Sequence, residues 1–229
     1  MKRLIEITVR RRNPDFVMHE SINSLAIVSF LWNNAWSVFR GLVWILYGKK
    51  PKMSILGKGV NFFNTPKIKF GRFLKLGDYV FVSALGRGHV RFGHNTSIGA
   101  FGRVVLSTTF QNPGAFIHIG NNVGIGEFAY LGGGGGLEIG NDCIVGQYFS
   151  CHPENHLTHD VDTLIRHQGV VRQGIKIGSN CWIGSKVTIL DGVQIGDGCI
   201  IAAGSVVNRS FDANSVIAGV PAKLIKIRA

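Results

Sequence analysis

The sequence predicts an all-β protein, a parallel solenoid built from hexapeptide repeats and preceded by a short helical segment. An aliphatic residue returns at every sixth position, at Ile177, Ile183, Ile189, Ile195, Ile201 and Val207. The fifth position of each unit is small or β-branched, as at Cys181, Val187, Val193, Cys199 and Ser205. Glycine is frequent, with 31 residues, and suits sharp corners. A fixed short period of this kind is the signature of a solenoid and argues against chance alternation in an ordinary sheet.

The repeat also predicts how the coils stack. We expect positions one and five of each unit to point inward, and three hexapeptides to form one triangular coil. Cys181 and Cys199 are separated by three hexapeptides and should therefore lie above one another in successive coils. The repeat by itself carries no chemistry, so a purely structural solenoid remains one interpretation.

Composition narrows the classes of partner. The formal net charge of +12 favours an anionic partner, such as a phosphorylated cofactor, an acidic glycan or a lipid surface. No zinc-ligand spacing or RNA-binding signature accompanies the charge, so a nucleic-acid partner is not predicted. The four cysteines suggest small core residues rather than a disulfide scaffold, which favours a reducing, cytoplasmic compartment. The first dozen residues lead into polar sequence, so no cleavable signal peptide is expected.

Residues 1–52 form a basic and amphipathic helical segment. Residues 22–47 are largely apolar, but Asn33, Asn34 and Arg40 interrupt them, which argues against a membrane-spanning helix. We expect one or two amphipathic helices instead. Their apolar stripe contains Trp32, Trp36, Phe39, Val43 and Leu46.

Two interpretations of this stripe stay open. In the first, it packs on the end of the solenoid or on a neighbouring subunit. In the second, residues 22–47 make a peripheral membrane contact, with the basic flanks Arg10 to Arg12 and Lys49-Lys50 facing anionic lipid.

The solenoid domain is predicted over residues 53–221, followed by a basic tail at 222–229. Its first coils have an ambiguous register, and the repeat slips by two residues between Leu137 and Ile139. The run Gly132 to Gly136 is either a flexible corner or a wall without side chains, where a substrate or a partner backbone comes close.

The repeat vanishes over residues 151–174. A long loop without periodicity in a compact fold is usually functional or disordered. This loop contains four of the eight histidines, His152, His156, His159 and His167. It also contains the carboxylates Glu154, Asp160 and Asp162.

The order of these features resembles a known family. A solenoid, a His-bearing loop, the stretch IGSNCWIGSKVTILDGVQIGDGCIIAAGSVV and the ending AGVPAKLIKI look like the hexapeptide-repeat acyltransferases, nearest the galactoside, maltose and polysaccharide O-acetyltransferases. The resemblance is strong over about residues 119–229, weaker over 53–118 and absent over 1–50. It implies a left-handed parallel β-helix, a homotrimer with active sites between subunits, and acetyl-CoA as donor, with no metal required.

The histidines of the loop supply the expected base. Acetyl transfer from a thioester to a hydroxyl needs a group that accepts the hydroxyl proton, and His suits this near neutral pH. His156 follows Asn155, similar to the Asn-His pair of the xenobiotic acetyltransferases of this fold, and is the preferred candidate. His152 is the alternative, and Glu154 or Asp160 could orient the imidazole. No activated nucleophile is evident, so direct transfer is favoured over an acyl-enzyme.

The resemblance also implies where the donor binds. Trp182, Ser185, Ala203 and Ser205 match positions near the pantetheine path of related enzymes, although the register makes Ser205 an inward residue. The candidates for the nucleotide phosphates are Asn208, Arg209, Lys223 and Lys226.

Competing functions differ in what they require. A zinc hydratase of the γ-carbonic anhydrase type needs three converging histidines, for which His89, His94 and His118 lie on coils, yet it would not account for the AGVPAKLI ending. A non-catalytic solenoid leaves the His-rich loop without a purpose. The acceptor stays open among a sugar hydroxyl, an amino sugar, serine and an antibiotic. The apolar N-terminal segment favours a glycan hydroxyl on a lipid carrier, as in surface polysaccharide biosynthesis.

Overall fold

The structure, a computed structural model, describes residues 2–10 and 15–228. The N-terminal segment forms three helices, as predicted for part of it: α1 (Lys2–Arg10), α2 (Ser24–Gly41) and α3 (Val43–Leu46). Asn23 caps α2, because its side-chain oxygen accepts a hydrogen bond from the Ala26 amide. Arg11 and Arg12 of the predicted basic flank lie outside the described residues. Within the described ranges, no helix is both long and apolar enough to cross a membrane.

The remainder is a left-handed parallel β-helix with three faces, which confirms the predicted fold class. Sheet A contains the strands Ile55–Leu56, Lys75–Leu76, Ser97–Ile98, Gly124–Ile125, Ile144–Val145, Trp182–Ile183, Ile200–Ile201, Ser215–Gly219 and Ala222–Ile227. Sheet B contains Asn61–Phe63, Phe81–Ser83, Arg103–Val105, Tyr130–Gly132, Ser150–His152, Thr188–Leu190 and Val206–Val207. Sheet C contains Ile68–Phe70, Val90–Phe92, Ile117–Ile119, Leu137–Ile139, Ile175–Ile177 and Gln194–Ile195.

Three short elements lie outside these faces. Two are 3-10 helices, Thr65–Lys67 and Ile165–His167, and the third is a two-stranded antiparallel arm. The arm pairs Asn155–His156 with Val170–Val171. It projects from the loop that carries the histidines.

The predicted inward positions form the core. Every first-position residue from Ile177 to Val207 is buried, and so is every fifth-position residue from Cys181 to Ser205. Cys181 and Cys199 occupy equivalent positions of successive coils, because Trp182 pairs with Ile200. All four cysteines are buried and free, as expected of small core residues.

The ambiguous register of the first coils has a simple explanation. Leu74 and Val80 are fifth-position residues, whereas Leu76 and Val82 are first-position residues, and all four are buried. Two six-residue series therefore run in parallel because each unit contributes two inward side chains. A period of six alone cannot tell the two series apart.

The predicted coil length of three hexapeptides is found only in the C-terminal part of the β-helix. Trp182 pairs with Ile200, which lies three hexapeptides later. All the earlier coils are longer: two of them by two residues, because Ile55 pairs with Lys75 and Gly124 with Ile144, and the others by more. In the coil that begins at Gly124, the extra residues lie between sheets B and C, where the repeat slips in the sequence. The corner between sheets B and C thus absorbs insertions while the rest of the repeat stays regular.

The N-terminal end of the β-helix is closed by Trp44, a residue outside the predicted stripe. Its ring is fully buried and lies 4.3 Å from the Phe62 ring and 4.4 Å from the Phe70 ring, between centroids. Of the stripe, Val43 is partly buried against the core. The other members, Trp32, Trp36, Phe39 and Leu46, are exposed. The expectation that the stripe packs on the solenoid end is therefore wrong for all but Val43.

The basic tail predicted at residues 222–229 contains a strand. Residues 222–227 form a strand that pairs antiparallel with Ser215–Gly219 at the edge of sheet A. The side chain of Arg228 donates a hydrogen bond to the Gly198 carbonyl, 2.6 Å away. Of this strand only Ala222 is buried, and Leu224, Ile225 and Ile227 are exposed, so no pattern of alternating burial marks the strand in the sequence.

Candidate active site

A cleft of about 260 Å³ lies at the corner between sheets B and C, where the chain makes two large insertions. The step between paired strands of sheet A is longest from Ser97 to Gly124 and from Ile144 to Trp182. The first of these coils carries the insertion at residues 106–116, and the second carries the insertion at residues 153–174. Cys151 and His152 still belong to the sheet B strand, so the second insertion begins two residues later than predicted. The two insertions wall the cleft from opposite coils.

The five-glycine run lies between the insertions. The Ala115 amide donates a hydrogen bond to the Gly133 carbonyl at 3.0 Å, and the Gly135 amide donates to the Pro153 carbonyl at 2.8 Å. A Cβ atom at Gly135 would lie 2.7 Å from the Gly174 nitrogen and from the Pro153 oxygen, both main-chain atoms. Gly136 also has a φ of +104°, which favours glycine. The run is therefore a wall without side chains that the chain's own backbone approaches closely, and an approach by a substrate or a partner stays a prediction.

Arg172 joins the two insertions. Its guanidinium forms an ion pair with Glu154 at 2.9 Å and donates hydrogen bonds to the Asn112 carbonyl and side-chain oxygens, at 3.2 and 2.7 Å. The Arg172 side chain is only 14% exposed, whereas that of Glu154 is 41% exposed. A fork with several donors suits this bridging position better than a lysine would. The clamp fixes the insertions relative to each other.

Both candidate bases line the cleft. His152 stands at the end of its sheet B strand and stacks on the Tyr130 ring, with centroids 5.4 Å apart. His156 lies on the projecting arm, exposed, and its ring makes no hydrogen bond to another described residue. The ring nitrogens of His156 are therefore free to meet an acceptor hydroxyl. The structure brings together the two histidines that the sequence singled out.

The electrostatic environment keeps the aromatic pair uncharged at neutral pH. Burial lowers the pKa of His152 below its ordinary value, because desolvation disfavours the imidazolium. Burial, with a smaller contribution from the Glu154 carboxylate, raises the pKa of Tyr130. A neutral imidazole can accept a proton and a neutral phenol can donate a hydrogen bond. This part of the cleft thus holds a proton acceptor, His152, beside a hydrogen-bond donor, Tyr130.

The carboxylates predicted to orient an imidazole have other partners. Glu154 pairs with Arg172, and neither candidate imidazole bonds to it. Asp160 does not line the cleft. Hydrogen bonds from the Thr163 side chain and the Asp162 amide lower the pKa of Asp160 within its own loop. In the single chain both carboxylates shape the loop, and neither forms a hydrogen bond with a candidate imidazole, so the orienting role stays a prediction. His159 and His167 are exposed, as expected of surface residues.

The predicted donor-binding residues lie on other parts of the β-helix. Trp182 projects from sheet A and is 58% exposed, beside the equally outward Ile144. Ser185 and Ala203 lie at the corner between sheets A and B, where the Ser185 hydroxyl donates to Gln147 at 2.8 Å. Ser205 is buried. Its hydroxyl donates to the Ala202 carbonyl and accepts from the Gly219 amide, so it belongs to the core and is closed to a surface ligand.

The phosphate candidates lie at the C-terminal end. Asn208 and Arg209 are exposed after the last strand of sheet B, and Arg209 stands over the Phe211 ring at 5.2 Å. Arg209 and Phe211 also line a cavity of about 730 Å³. Lys223 and Lys226 are exposed on the last strand of sheet A. Trp182 and these two lysines share sheet A, which lies opposite the corner that holds the histidines.

No grouping of three or more His, Cys, Asp or Glu side chains in the described part of the chain could hold a metal ion. His89 and His94 lie on the second coil of the β-helix, and His118 lies on the third. Burial, followed by the charge of Arg91, lowers the pKa of His118. Within residues 2–10 and 15–228, a single chain thus offers no cluster of the type that the zinc hydratase alternative needs.

Sequence reasoning missed Arg172, Tyr130 and the whole first insertion. Arg172 sits in the predicted loop, but nothing in the sequence pairs it with Asn112 of the first insertion. Tyr130 occupies an outward position of a regular coil and is recognisable only once His152 is placed next to it. The first insertion had one sequence signal, the gap in the repeat between Val104 and Ile119.

Comparison with known proteins adds independent information. The family model described as bacterial transferase hexapeptide (six repeats) matches residues 174–209. A probable acetyltransferase of Mycobacterium tuberculosis is 30% identical over 179 residues, which make up 77% of this chain and 50% of the relative. The putative lipopolysaccharide biosynthesis O-acetyl transferase WbbJ of Escherichia coli is 30% identical over 158 residues, 61% of this chain and 72% of that protein. The chain therefore spans only half the length of the mycobacterial relative.

A solved structure shows the same fold. A variant of AntD, an N-acyltransferase from Bacillus cereus in complex with dTDP-4-amino-4,6-dideoxyglucose and coenzyme A, aligns with a TM-score of 0.54 at 19% identity. The alignment covers 77% of this chain and 81% of that chain. At this identity the likeness shows the β-helix and nothing more specific.

Proposed function

The chain belongs to the hexapeptide-repeat acyltransferase family, and on that basis we propose that it is an acetyl-CoA-dependent O-acetyltransferase acting on a sugar hydroxyl. The observation that carries the proposal is the cleft between the two insertions, in which two imidazoles face a wall of glycine backbone. WbbJ is described as an O-acetyl transferase of lipopolysaccharide biosynthesis, which supports a glycan acceptor in surface polysaccharide assembly. AntD carries coenzyme A, which supports the donor class.

We assign the base to His156. Its ring accepts the proton of the acceptor hydroxyl as the new C–O bond forms and the C–S bond of the thioester breaks, and it then returns the proton to the departing thiolate. An imidazole without a competing hydrogen bond suits this step better than one that stacks on a neighbouring ring. His152 and Tyr130 would then position the acceptor. Glycine amides that are not used by the insertions are candidates for stabilising the oxyanion.

Direct transfer fits the cysteines. Cys151 precedes His152 but points into the core, and burial raises the pKa of its thiol far above the ordinary value. Cys143, Cys181 and Cys199 are also buried. A thiol that is closed to solvent cannot reach a bound thioester, so an acyl-enzyme on any of the four cysteines is disfavoured.

We further propose that the active unit is a homotrimer with its sites between subunits. The histidines lie at the corner between sheets B and C, whereas Trp182 projects from the opposite face, so one chain cannot bring both to one substrate. A neighbouring copy would supply the second set. Outward apolar residues on sheet A, Trp182 and Ile144, suit such a contact between subunits.

The test is an acceptor screen with purified protein and acetyl-CoA. Nucleotide sugars, lipid-linked sugars, amino sugars and serine serve as acceptors, and release of coenzyme A is followed together with the product mass. We expect release with a sugar acceptor and a product that mild alkali deacetylates, because an ester is labile and an amide is not. An alkali-stable product would establish N-acetylation instead. Failure to bind acetyl-CoA in calorimetry would overturn the proposal altogether.

A further inference from the structure

Helix α2 turns an aromatic stripe away from the protein. Val28, Trp32, Trp36 and Phe39 follow one another at steps of four, four and three residues, the spacing of one helix face, and all are exposed. Trp32 is 65% exposed, although its ring contacts that of Trp36 at 5.9 Å. The Trp36 and Phe39 rings lie 6.0 Å apart. The stripe is therefore a continuous apolar surface with no partner among the described residues outside α2.

The opposite side of the helix is anchored and fixes this orientation. The Arg40 guanidinium donates to the Leu56 carbonyl at 2.8 Å, and Gly41 packs so closely on Ser54 that a Cβ atom would lie 2.3 Å from its oxygen. Trp44 closes the β-helix, so the stripe is not needed to cover its end. The helix cannot simply roll over to bury Trp32 and Trp36.

The apolar surface continues into a basic one. Leu42, Ile45 and Leu46 are exposed on the next turns, with Leu46 83% exposed. Two residues after the α3 cap the chain reaches Lys49, whose amide donates to the Trp44 carbonyl at 2.9 Å, and then Lys50. Apolar and basic surface thus meet at the N-terminal end of the β-helix.

We call the basic surface the N-terminal cation patch. It borders two shallow hollows of about 310 and 500 Å³, and no carboxylate lines either of them. Its exposed members are Lys50, Lys52, Lys69, Arg72 and Arg91. None of these five cations forms an ion pair with a carboxylate in the described part of the chain, so the patch is not neutralised there. Burial, together with the charges of Lys52 and Lys69, lowers the pKa of the adjoining Lys49.

We propose that the aromatic stripe of α2 and the N-terminal cation patch form one docking surface for an anionic lipid bilayer. Trp and Phe on one helix face suit the boundary between headgroups and acyl chains, and neighbouring cations are attracted to anionic headgroups. The helix lies in the interface and does not span it, consistent with its length and polarity. Two copies that met face to face through this surface would bring like-charged patches together.

This inference stands apart from the proposed acetyl transfer, because it concerns binding alone and uses residues outside the cleft. It is tested by co-sedimentation of the full chain with phosphatidylcholine vesicles and with vesicles containing about 30% phosphatidylglycerol. We expect the wild type to bind the anionic vesicles, and binding to weaken as salt rises from about 0.1 to about 0.5 M because exposed charges are screened.

Two double variants separate the two components. W36S/F39S removes the aromatic contribution. K50E/R72E reverses the charge of two residues whose side chains make no hydrogen bond to another described residue. Lys49 and Lys52 are left unchanged because their side chains donate hydrogen bonds to the carbonyls of Ile68 and Phe70. Each is expected to lower the partition coefficient about 10-fold or more. The matched controls are F110S, which removes an exposed aromatic side chain far from α2 in the sequence, and K186E, which reverses an exposed lysine on a later coil. Both controls should bind as the wild type does, and thermal unfolding verifies that each variant folds.

Several outcomes would overturn the proposal. One is that the wild type fails to sediment with anionic vesicles, and another is that both double variants still bind them normally. A third is that W36S/F39S changes the oligomeric state in size-exclusion chromatography while vesicle binding persists, which would make the stripe an interface between copies. A fourth is that a carboxylated glycan is retained by the wild type and vesicles are not.

Discussion

The rings of Tyr130 and His152 lie nearly parallel, with centroids 5.4 Å apart and 18° between their planes. They come from neighbouring coils of sheet B, where Tyr130 pairs with Ser150 two residues before His152. Tyr130 covers one face of the imidazole, while the rest of the His152 side chain stays exposed to the cleft. Because desolvation lowers the pKa of His152, the stack keeps this ring neutral on the acidic side of its ordinary range.

Removing the stack should change that titration. In Tyr130→Ala the imidazole gains water, so the pKa of His152 is expected to rise toward about 6.5. Tyr130→Phe keeps the ring and should leave the pKa close to that of the wild type. Titration of labelled histidine by NMR measures both. A pKa of His152 that stays the same in Tyr130→Ala would show that the stack does not control it.

The Arg172 clamp should matter more for the cleft than for global stability. The Glu154 side chain is 41% exposed, so loss of the ion pair and of the bonds to Asn112 is expected to cost only about 1–2 kcal/mol. Arg172→Ala should nevertheless raise the acceptor KM about 10-fold or more, because both walls of the cleft lose their fixed spacing. Steady-state kinetics and denaturant unfolding measure the two effects. Arg166→Ala, at an exposed residue of the same insertion, is the control and should change neither.

The fold should depend on the cap at its N-terminal end. Trp44 is fully buried between Phe62 and Phe70, so Trp44→Ala is expected to lower the free energy of unfolding by about 3–5 kcal/mol. Trp44→Phe should cost less, since the indole nitrogen has no hydrogen-bond partner to lose. Trp32→Ala, on the exposed stripe, should cost under about 0.5 kcal/mol. Urea unfolding followed by circular dichroism provides the comparison, and equal losses for Trp44→Ala and Trp32→Ala would refute the cap.

Most of the β-helix could be predicted from the sequence because every hexapeptide follows the same pattern of inward and outward side chains. Each hexapeptide places one aliphatic and one small residue inward, so six matches from Ile177 to Val207 were enough to define the coils. The closure of the N-terminal end by Trp44 could not be predicted in this way. Trp44 lies one residue from the predicted stripe member Val43, and only the position of Phe62 and Phe70 decides which ring is buried.

The part of the site that lies in one stretch of sequence could be predicted. The part that depends on contacts between distant residues could not. Four histidines in one interruption of the repeat pointed to the loop, and His152 and His156 do share a cleft. The partners of the carboxylates depend on contacts over long sequence distances. The bond of Arg172 to Asn112 is one of these, and no periodicity encodes it. Ser205 was expected inward from its register, and its hydrogen bond to the Ala202 carbonyl confirms that position.

The most direct measurement is the rate of coenzyme A release by His156→Asn, compared with His152→Asn and the wild type under saturating acetyl-CoA. Asparagine keeps a polar side chain but cannot act as a base at neutral pH. We expect His156→Asn to lower kcat by about 10²- to 10⁴-fold while thermal unfolding is unchanged. His152→Asn should retain much more activity and show mainly a higher acceptor KM. Wild-type kcat in His156→Asn, together with loss of turnover in His152→Asn, would contradict the assignment of the base.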